Sequence, residues 1–187
     1  MQLHFLKAGL FTTIQDQGRV GFQAFGVPTS GALDRAAAAL ANQLVGNPAD
    51  SPVLEITLMG PKIQFVGEGE IAITGANLSA ALNGEACASN QLLSITDADQ
   101  LQFGRPEAGC RTYVAVRGKW QVPRWLSSRS AITQNGSTLT PQSIIKKGDV
   151  IQVETPTESP ATFASIQSGS AAKPTEIRVL PGPEFER

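Results

Sequence analysis

The period of apolar and polar positions changes once along the chain, and that change marks a single strong helix. Leu33, Ala36, Ala37, Leu40, Ala41, Leu44 and Val45 follow the i, i+3, i+4, i+7, i+8 spacing of one helical face. Ser30 is placed to cap this helix, Asp34 puts negative charge in its first turn, and Gly46-Asn47 supplies a left-handed stop. Elsewhere the apolar runs are short. The segments 2–6, 11–14, 53–58, 63–66, 71–74, 78–82, 92–95, 101–103, 111–116 and 150–153 read as strands, and Asn83-Gly84 is a strong hairpin signal. In 53–58 the alternation sets Glu55 and Thr57 on one face. Many short strands with glycine-rich turns predict a mainly β, closed or nearly closed barrel with one principal helix across an opening.

Between 122 and 143 the pattern is irregular and predicts a long ordered loop. Residues 154–176 shift to Thr, Ser, Pro and Ala and read as a linker, after which 177–187 begins a further unit. The expected division is therefore a lobe over 1–153, a linker, and the start of a second lobe. The strand-like Ile177–Leu180 has no partner visible in the sequence, and because an unpaired apolar edge invites association it is expected to pair with its own barrel, to pair with another copy as a homo-oligomer, or to stay disordered.

Composition removes several functions. Of 187 residues, 15 are Lys or Arg and 16 are Asp or Glu, for a net charge of −1, and the cations are scattered, so no nucleic-acid footprint is present. No apolar run has bilayer length, and the N-terminal MQLHFLKAGLF lacks the form of a signal peptide, which predicts a cytoplasmic protein without membrane contact. The one histidine, His4, and the cysteines Cys87 and Cys110 give no metal spacing and no internal Ser-His-Asp arrangement; all three read as structural residues. No metal site is expected. Acid–base chemistry must come from carboxylates, Arg, Lys, Tyr113 or another chain.

The candidate chemistry gathers before the helix and late in the chain. Gln15-Asp16-Gln17-Gly18-Arg19 pairs a carboxylate with a guanidinium among glycines that admit close backbone approach; an ion pair pinning the loop explains the same residues. Ser30 at the expected helix N-terminus suits an anion, and plain capping accounts for it equally. Arg111 and Tyr113 on one strand, and Arg129 among serines 127, 128 and 130, suit carboxylate or phosphate recognition; a solvated surface loop accounts for the same residues. No GxxxxGK[ST] phosphate loop occurs.

The blocks GLFTTIQDQGRVGFQAFGVPTSGALDRAAAALANQLVGN, VLEITLMGPKIQF, IAITGANLSAALNG, RTYVAVRG and VPRWLSSRSA, in this order, resemble the biotin-dependent carboxyltransferase family that includes allophanate hydrolase subunit 2, the C component of 5-oxoprolinase and the Kip inhibitor antagonist. The resemblance implies a cyclophilin-like β-barrel and a partner of the allophanate hydrolase subunit 1 type, equivalent to the B component of 5-oxoprolinase. It implies a non-autonomous subunit of an ATP-dependent amide hydrolase complex, related to the carboxyltransferase part of urea carboxylase. ATP would be used by the complex, and biotin would arrive only on another protein, since no biotinyl-lysine context occurs here. On this reading Asp16 and Arg19 act on the substrate, a small-molecule amide, and Ser30, Asp34, Glu55, Arg111, Tyr113 and Arg129 bind it. The resemblance also allows a regulatory protein that sequesters a Kip-inhibitor-like partner without catalysis. Lys119 and Ser127 stand where family members usually carry glycine, and the chain ends where the second lobe of the family begins, near RVLPGPE.

Overall fold

The computed structural model describes residues 1–134 and 137–156, with 133, 134, 137 and 138 described through their backbone. The linker beyond Pro156 and the fragment Ile177–Leu180 lie outside the described residues. The strands are β1 (Gln2–Lys7), β2 (Phe11–Gln15), β3 (Val53–Thr57), β4 (Lys62–Val66), β5 (Gly69–Asn77), β6 (Ala80–Leu82), β7 (Glu85–Ala86), β8 (Leu92–Ile95), β9 (Gln100–Phe103), β10 (Ala108–Val116), β11 (Lys119–Trp120), β12 (Thr133–Gln134), β13 (Ser137–Thr138) and β14 (Val150–Glu154). Among the described residues, one helix, α1 (Arg35–Leu44), and a short 3-10 turn at Gln23–Phe25 complete the elements.

The mainly β class with one principal helix is what the structure has. Its strands form a seven-stranded sheet in the order β11-β14-β1-β4-β9-β6-β7, a five-stranded sheet in the order β2-β3-β10-β5-β8, and the small pair β12-β13. The pairings within both large sheets are antiparallel; most neighbours are distant in sequence, and β6 and β7 are the pair joined by a two-residue turn. The two large sheets share a core: Leu3, Phe5, Ile63, Phe65, Leu101 and Val153 from the first meet Ile14, Leu54, Ile56, Ile71, Val114 and Val116 from the second.

The helix is not across an opening. It lies on the outer face of the five-stranded sheet, against β5, β10 and β3. Strand periodicity explains how β10 serves both layers: Val114 and Val116 point into the space between the sheets, while Tyr113 and Ala115 meet Ala38, Ala41, Leu44 and Val45 on the other side. The helical stripe is therefore displaced from the expected one. Leu33 precedes the helix and is 70% exposed, Ala36 is exposed, and the buried positions are Ala38, Ala41, Asn42, Leu44 and Val45. Ser30 is not the N-cap either. Asp34 is, with its Oδ1 accepting from Ala37 N at 2.9 Å, because a carboxylate immediately before the first turn reaches those amides and a hydroxyl four residues earlier does not.

The expected strand boundaries lie close to the observed ones. β5 and β10 run longer than expected, β6 starts at Ala80, and Asn83 (φ 54°) with Gly84 (φ 87°) makes the anticipated hairpin turn between β6 and β7. His4 sits on an interior strand, between β14 and β4, with its Nε2 3.0 Å from Gln2 Oε1. Both cysteines are free thiols; Cys87 packs partly against the core, and Cys110 is exposed, contrary to the structural role expected of it. Among the described residues no helix is long and apolar enough to cross a membrane.

Candidate functional site

The loop between β2 and α1 is drawn tight at its base. Arg19 N donates to Thr29 O at 2.8 Å and Ala32 N donates to Asp16 O at 2.9 Å, so the two ends run side by side. Gly18 makes this approach feasible: with φ at 87°, a Cβ there would lie 2.6 Å from the carbonyl oxygens of Thr29 and Ser30.

Asp16 is the centre of a knot that ties this loop to residues 112 to 114 positions away. Its Oδ1 accepts from Ser128 Oγ (2.7 Å), Ser130 Oγ (2.6 Å) and Gly18 N (2.8 Å), and its Oδ2 accepts from Arg129 N (2.6 Å). Ser130 Oγ also accepts from Asp16 N at 2.9 Å. The carboxylate is 8% exposed and its acceptor capacity is largely used. Arg19 is 1% exposed. It does not form an ion pair with Asp16 within 4 Å; its Nη2 donates to Ser130 O (2.6 Å), its Nε to Trp125 O (3.4 Å), and its guanidinium stacks 5.2 Å from the centroid of the Trp125 ring. Burial lowers the Arg19 pKa, opposed by the charge of Asp16. Its Nη1 is buried without an acceptor, as is the Oε1 of neighbouring Gln15 without a donor. Orphaned buried donors and acceptors are costly, and an ordered water or an incoming group satisfies them.

A second knot holds the start of the helix. Glu55 Oε2 accepts from Leu33 N (2.8 Å) and Tyr113 Oη (3.0 Å), Glu55 Oε1 accepts from Arg111 Nη1 (2.9 Å), and Tyr113 Oη accepts from Asp34 N (2.8 Å). Arg111 also donates to Thr57 Oγ1 at 2.9 Å. Register explains the convergence: Tyr113 pairs with Glu55, and Arg111 with Thr57, across β10 and β3. Burial first, then the carboxylates of Glu55 and Asp34, push the Tyr113 phenol well above its ordinary range, so it stays a neutral donor.

The predicted residues thus divide. Asp16, Arg19 and the backbone of Arg129 meet in one knot; Asp34, Glu55, Arg111 and Tyr113 meet in the other; the loop joins them. Ser30 lies on that loop with φ 55°, half-buried. The Arg129 side chain leaves its knot, its Nε donating to Val122 O at 3.1 Å. Sequence reasoning did not pair Ser128 and Ser130 with Asp16; the only local sign was the serine pattern around Arg129. The carboxylates of Asp16 and Glu55 are turned inward and held by hydrogen bonds, whereas Arg111 and Arg129 keep part of their surface outside. The arrangement is suited to holding anions offered from solution or from another chain. Among the described residues no group of three or more His, Cys, Asp or Glu is placed to hold a metal ion.

These features define a class: a two-sheet antiparallel lobe in which a helix-bearing loop is locked by two buried carboxylate knots. Residues 25–187 match the family described as the carboxyltransferase domain, subdomain A and B, and the chain belongs to it. It is 35% identical to the C component of 5-oxoprolinase from Escherichia coli over 183 residues, which is 98% of this chain and 58% of that protein. It is 37% identical to the urea amidolyase of Lachancea kluyveri over 179 residues, 95% of this chain and 9% of that one. The chain therefore spans little more than half of the first relative and a small part of the second. Among solved structures it resembles the Kluyveromyces lactis urea carboxylase (TM-score 0.77, 38% identity, 88% of this chain and 15% of that chain). It also resembles the crystal structure of TTHA0988 (TM-score 0.82, 28% identity, 98% of this chain and 36% of that chain).

Proposed function

We propose that this chain is the N-terminal lobe of a non-autonomous subunit in an ATP-dependent amide hydrolase complex of the 5-oxoprolinase or allophanate hydrolase type. The observation that carries the reading is its similarity to the 5-oxoprolinase C component over 98% of the chain. The partner is a protein of the 5-oxoprolinase B component or allophanate hydrolase subunit 1 type, the complex is cytoplasmic, and the substrate is a small amide. ATP is a reactant of the complex, and biotin enters only on another protein.

Within this reading Asp16 and Arg19 act mainly by position. Asp16 fixes the backbone at Arg129 and the serines beside it, and Arg19 clamps the same segment through Ser130 O. The unpartnered Arg19 Nη1 is the donor of the knot still able to take an acceptor. Arg111, Ser30 and Arg129 present the polar surface to the substrate; Glu55, Tyr113 and Asp34 hold that surface in place.

The test is reconstitution with a partner of the 5-oxoprolinase B component type and measurement of ATP consumption with 5-oxoproline. Turnover is expected only with both chains present. Asp16→Asn and Arg19→Gln, each in the assembled complex, are expected to lower turnover at least about tenfold, the order expected when one charged contact is lost; wild-type rates for both would reject the site. Three apolar side chains on the loop, Val20, Phe25 and Leu33, are 75%, 81% and 70% exposed, and they favour a second reading, sequestration of a Kip-inhibitor-like partner. Tight binding without ATP consumption would select it.

A further inference from the structure

The Arg129 side chain enters an open cleft of about 470 Å³ between the turn that follows α1, with Pro48, Asp50 and Pro52, and a wall carrying Lys119 and Arg124. Three cations face one carboxylate there, on a chain whose net charge is −1. Among the described residues, the ion pairs within 4 Å are Arg111–Glu55 and Arg117–Glu70, so Lys119, Arg124 and Arg129 have none. Arg129 cannot swing away from its like-charged neighbour freely, because its amide is tied to Asp16 Oδ2 at 2.6 Å and its Nε to Val122 O at 3.1 Å. The guanidinium is also partly desolvated; burial lowers its pKa, Arg124 lowers it further, and Asp16 opposes both. Holding the partly desolvated Arg129 guanidinium beside Arg124 costs free energy that a bound anion would offset.

From this geometry we infer that the cleft is a binding site for a phosphate monoester, whose oxyanion bridges Lys119, Arg124 and Arg129 and whose organic part rests on Pro48. A phosphate is favoured over a monocarboxylate by charge count. One guanidinium neutralises a carboxylate and leaves the other two cations in mutual repulsion, whereas a dianion with three terminal oxygens can meet all three. The cleft is far larger than a bare phosphate and lies in the range of small-molecule sites. Asp50 on the facing wall opposes the anion, so it sets how strongly charged a ligand the cleft retains.

Calorimetric titration of the full chain with inorganic phosphate, phenyl phosphate and benzoate tests this without any turnover. Saturable binding to one site is expected, with phenyl phosphate tighter than phosphate and benzoate weaker than phenyl phosphate by at least about tenfold, the equivalent of one charge-assisted contact. Arg124→Gln and Lys119→Gln should each weaken phenyl phosphate by about tenfold, and Asp50→Asn should tighten it. Lys62→Gln, on β4, should leave it unchanged. Circular dichroism and the urea midpoint check that the variants are folded, and Arg124, which is exposed, is the variant least able to disturb the fold. The inference is overturned if no saturable binding is seen, if benzoate matches phenyl phosphate, or if Arg124→Gln and Lys119→Gln bind as the wild type does. Because the readout is binding alone, the hydrolase reading can fail while this one stands.

Discussion

Tyr113 is the only tyrosine in the chain, so its ionisation can be followed without interference. In the folded protein its hydroxyl donates to Glu55 and accepts from Asp34 N, with the ring wholly buried. Its folded pKa is raised above the unfolded value of about 10. Between these two values the native state binds more protons than the unfolded state, so stability falls with rising pH. The contribution is complete below about pH 10 and is lost progressively above it. Tyrosine absorbance is expected to show no phenolate until the chain is well above pH 10 or unfolds. Tyr113→Phe should cost about 1–3 kcal/mol at neutral pH, since Asp34 N and one lone pair of Glu55 lose their partner. It should also flatten the alkaline fall in the urea midpoint. A normal tyrosine titration in the folded protein would contradict the knot.

At the scale of elements, the turn that delivers Ser128 to Asp16 carries a strain visible in its backbone. Trp125 N donates to Ser128 O (2.8 Å) and Ser128 N donates to Trp125 O (3.1 Å), while Leu126 and Ser127 have φ of 48° and 64°. Two successive left-handed residues suit Asn-Gly or Gly-Gly, and the resemblance given above implies glycine at the second. Ser127→Gly is therefore expected to raise stability by about 0.5–1 kcal/mol, the left-handed penalty relieved less the added unfolded entropy. The urea midpoint should rise with its slope unchanged. The other departure, Lys119, is not in the left-handed region and needs no such relief. How legible these elements were follows from the range of their causes. Strands and the hairpin at Asn83-Gly84 were readable because alternation and turn chemistry are local. The helix was readable, but its cap and stripe were misplaced, because Leu33 counts as apolar in a periodicity although it lies outside the helix. Asp16 could be singled out as a carboxylate beside Arg19 in a glycine-rich loop, and Glu55 and Tyr113 as polar positions on apolar strands. Their division into two knots depends on strand order and on contacts such as Asp16 with Ser130, 114 residues apart, which no local pattern encodes.

At the scale of the whole molecule, the loop that both knots immobilise also exposes Val20, Phe25 and Leu33. Leu10 and Met59 are likewise 55% and 57% exposed and are joined by the bond from Leu10 N to Met59 O. Rigid backbone carrying exposed apolar side chains is a preorganised contact surface, since little conformational entropy remains to be lost on binding. Phe25, 81% exposed on its short 3-10 turn, contributes little to the core of this lobe. Phe25→Ser should therefore leave the thermal midpoint within about 2 °C of the wild type, as expected for a surface substitution away from the core. Against a partner of the 5-oxoprolinase B component type the same change should weaken binding by at least about tenfold, the threshold of an anchoring aromatic. Val150→Ser, which removes a comparably exposed apolar group (52%) on β14, is the control and should bind as the wild type does. Unchanged affinity for Phe25→Ser would move the partner surface off this loop, and a large fall in its thermal midpoint would make Phe25 a folding residue instead.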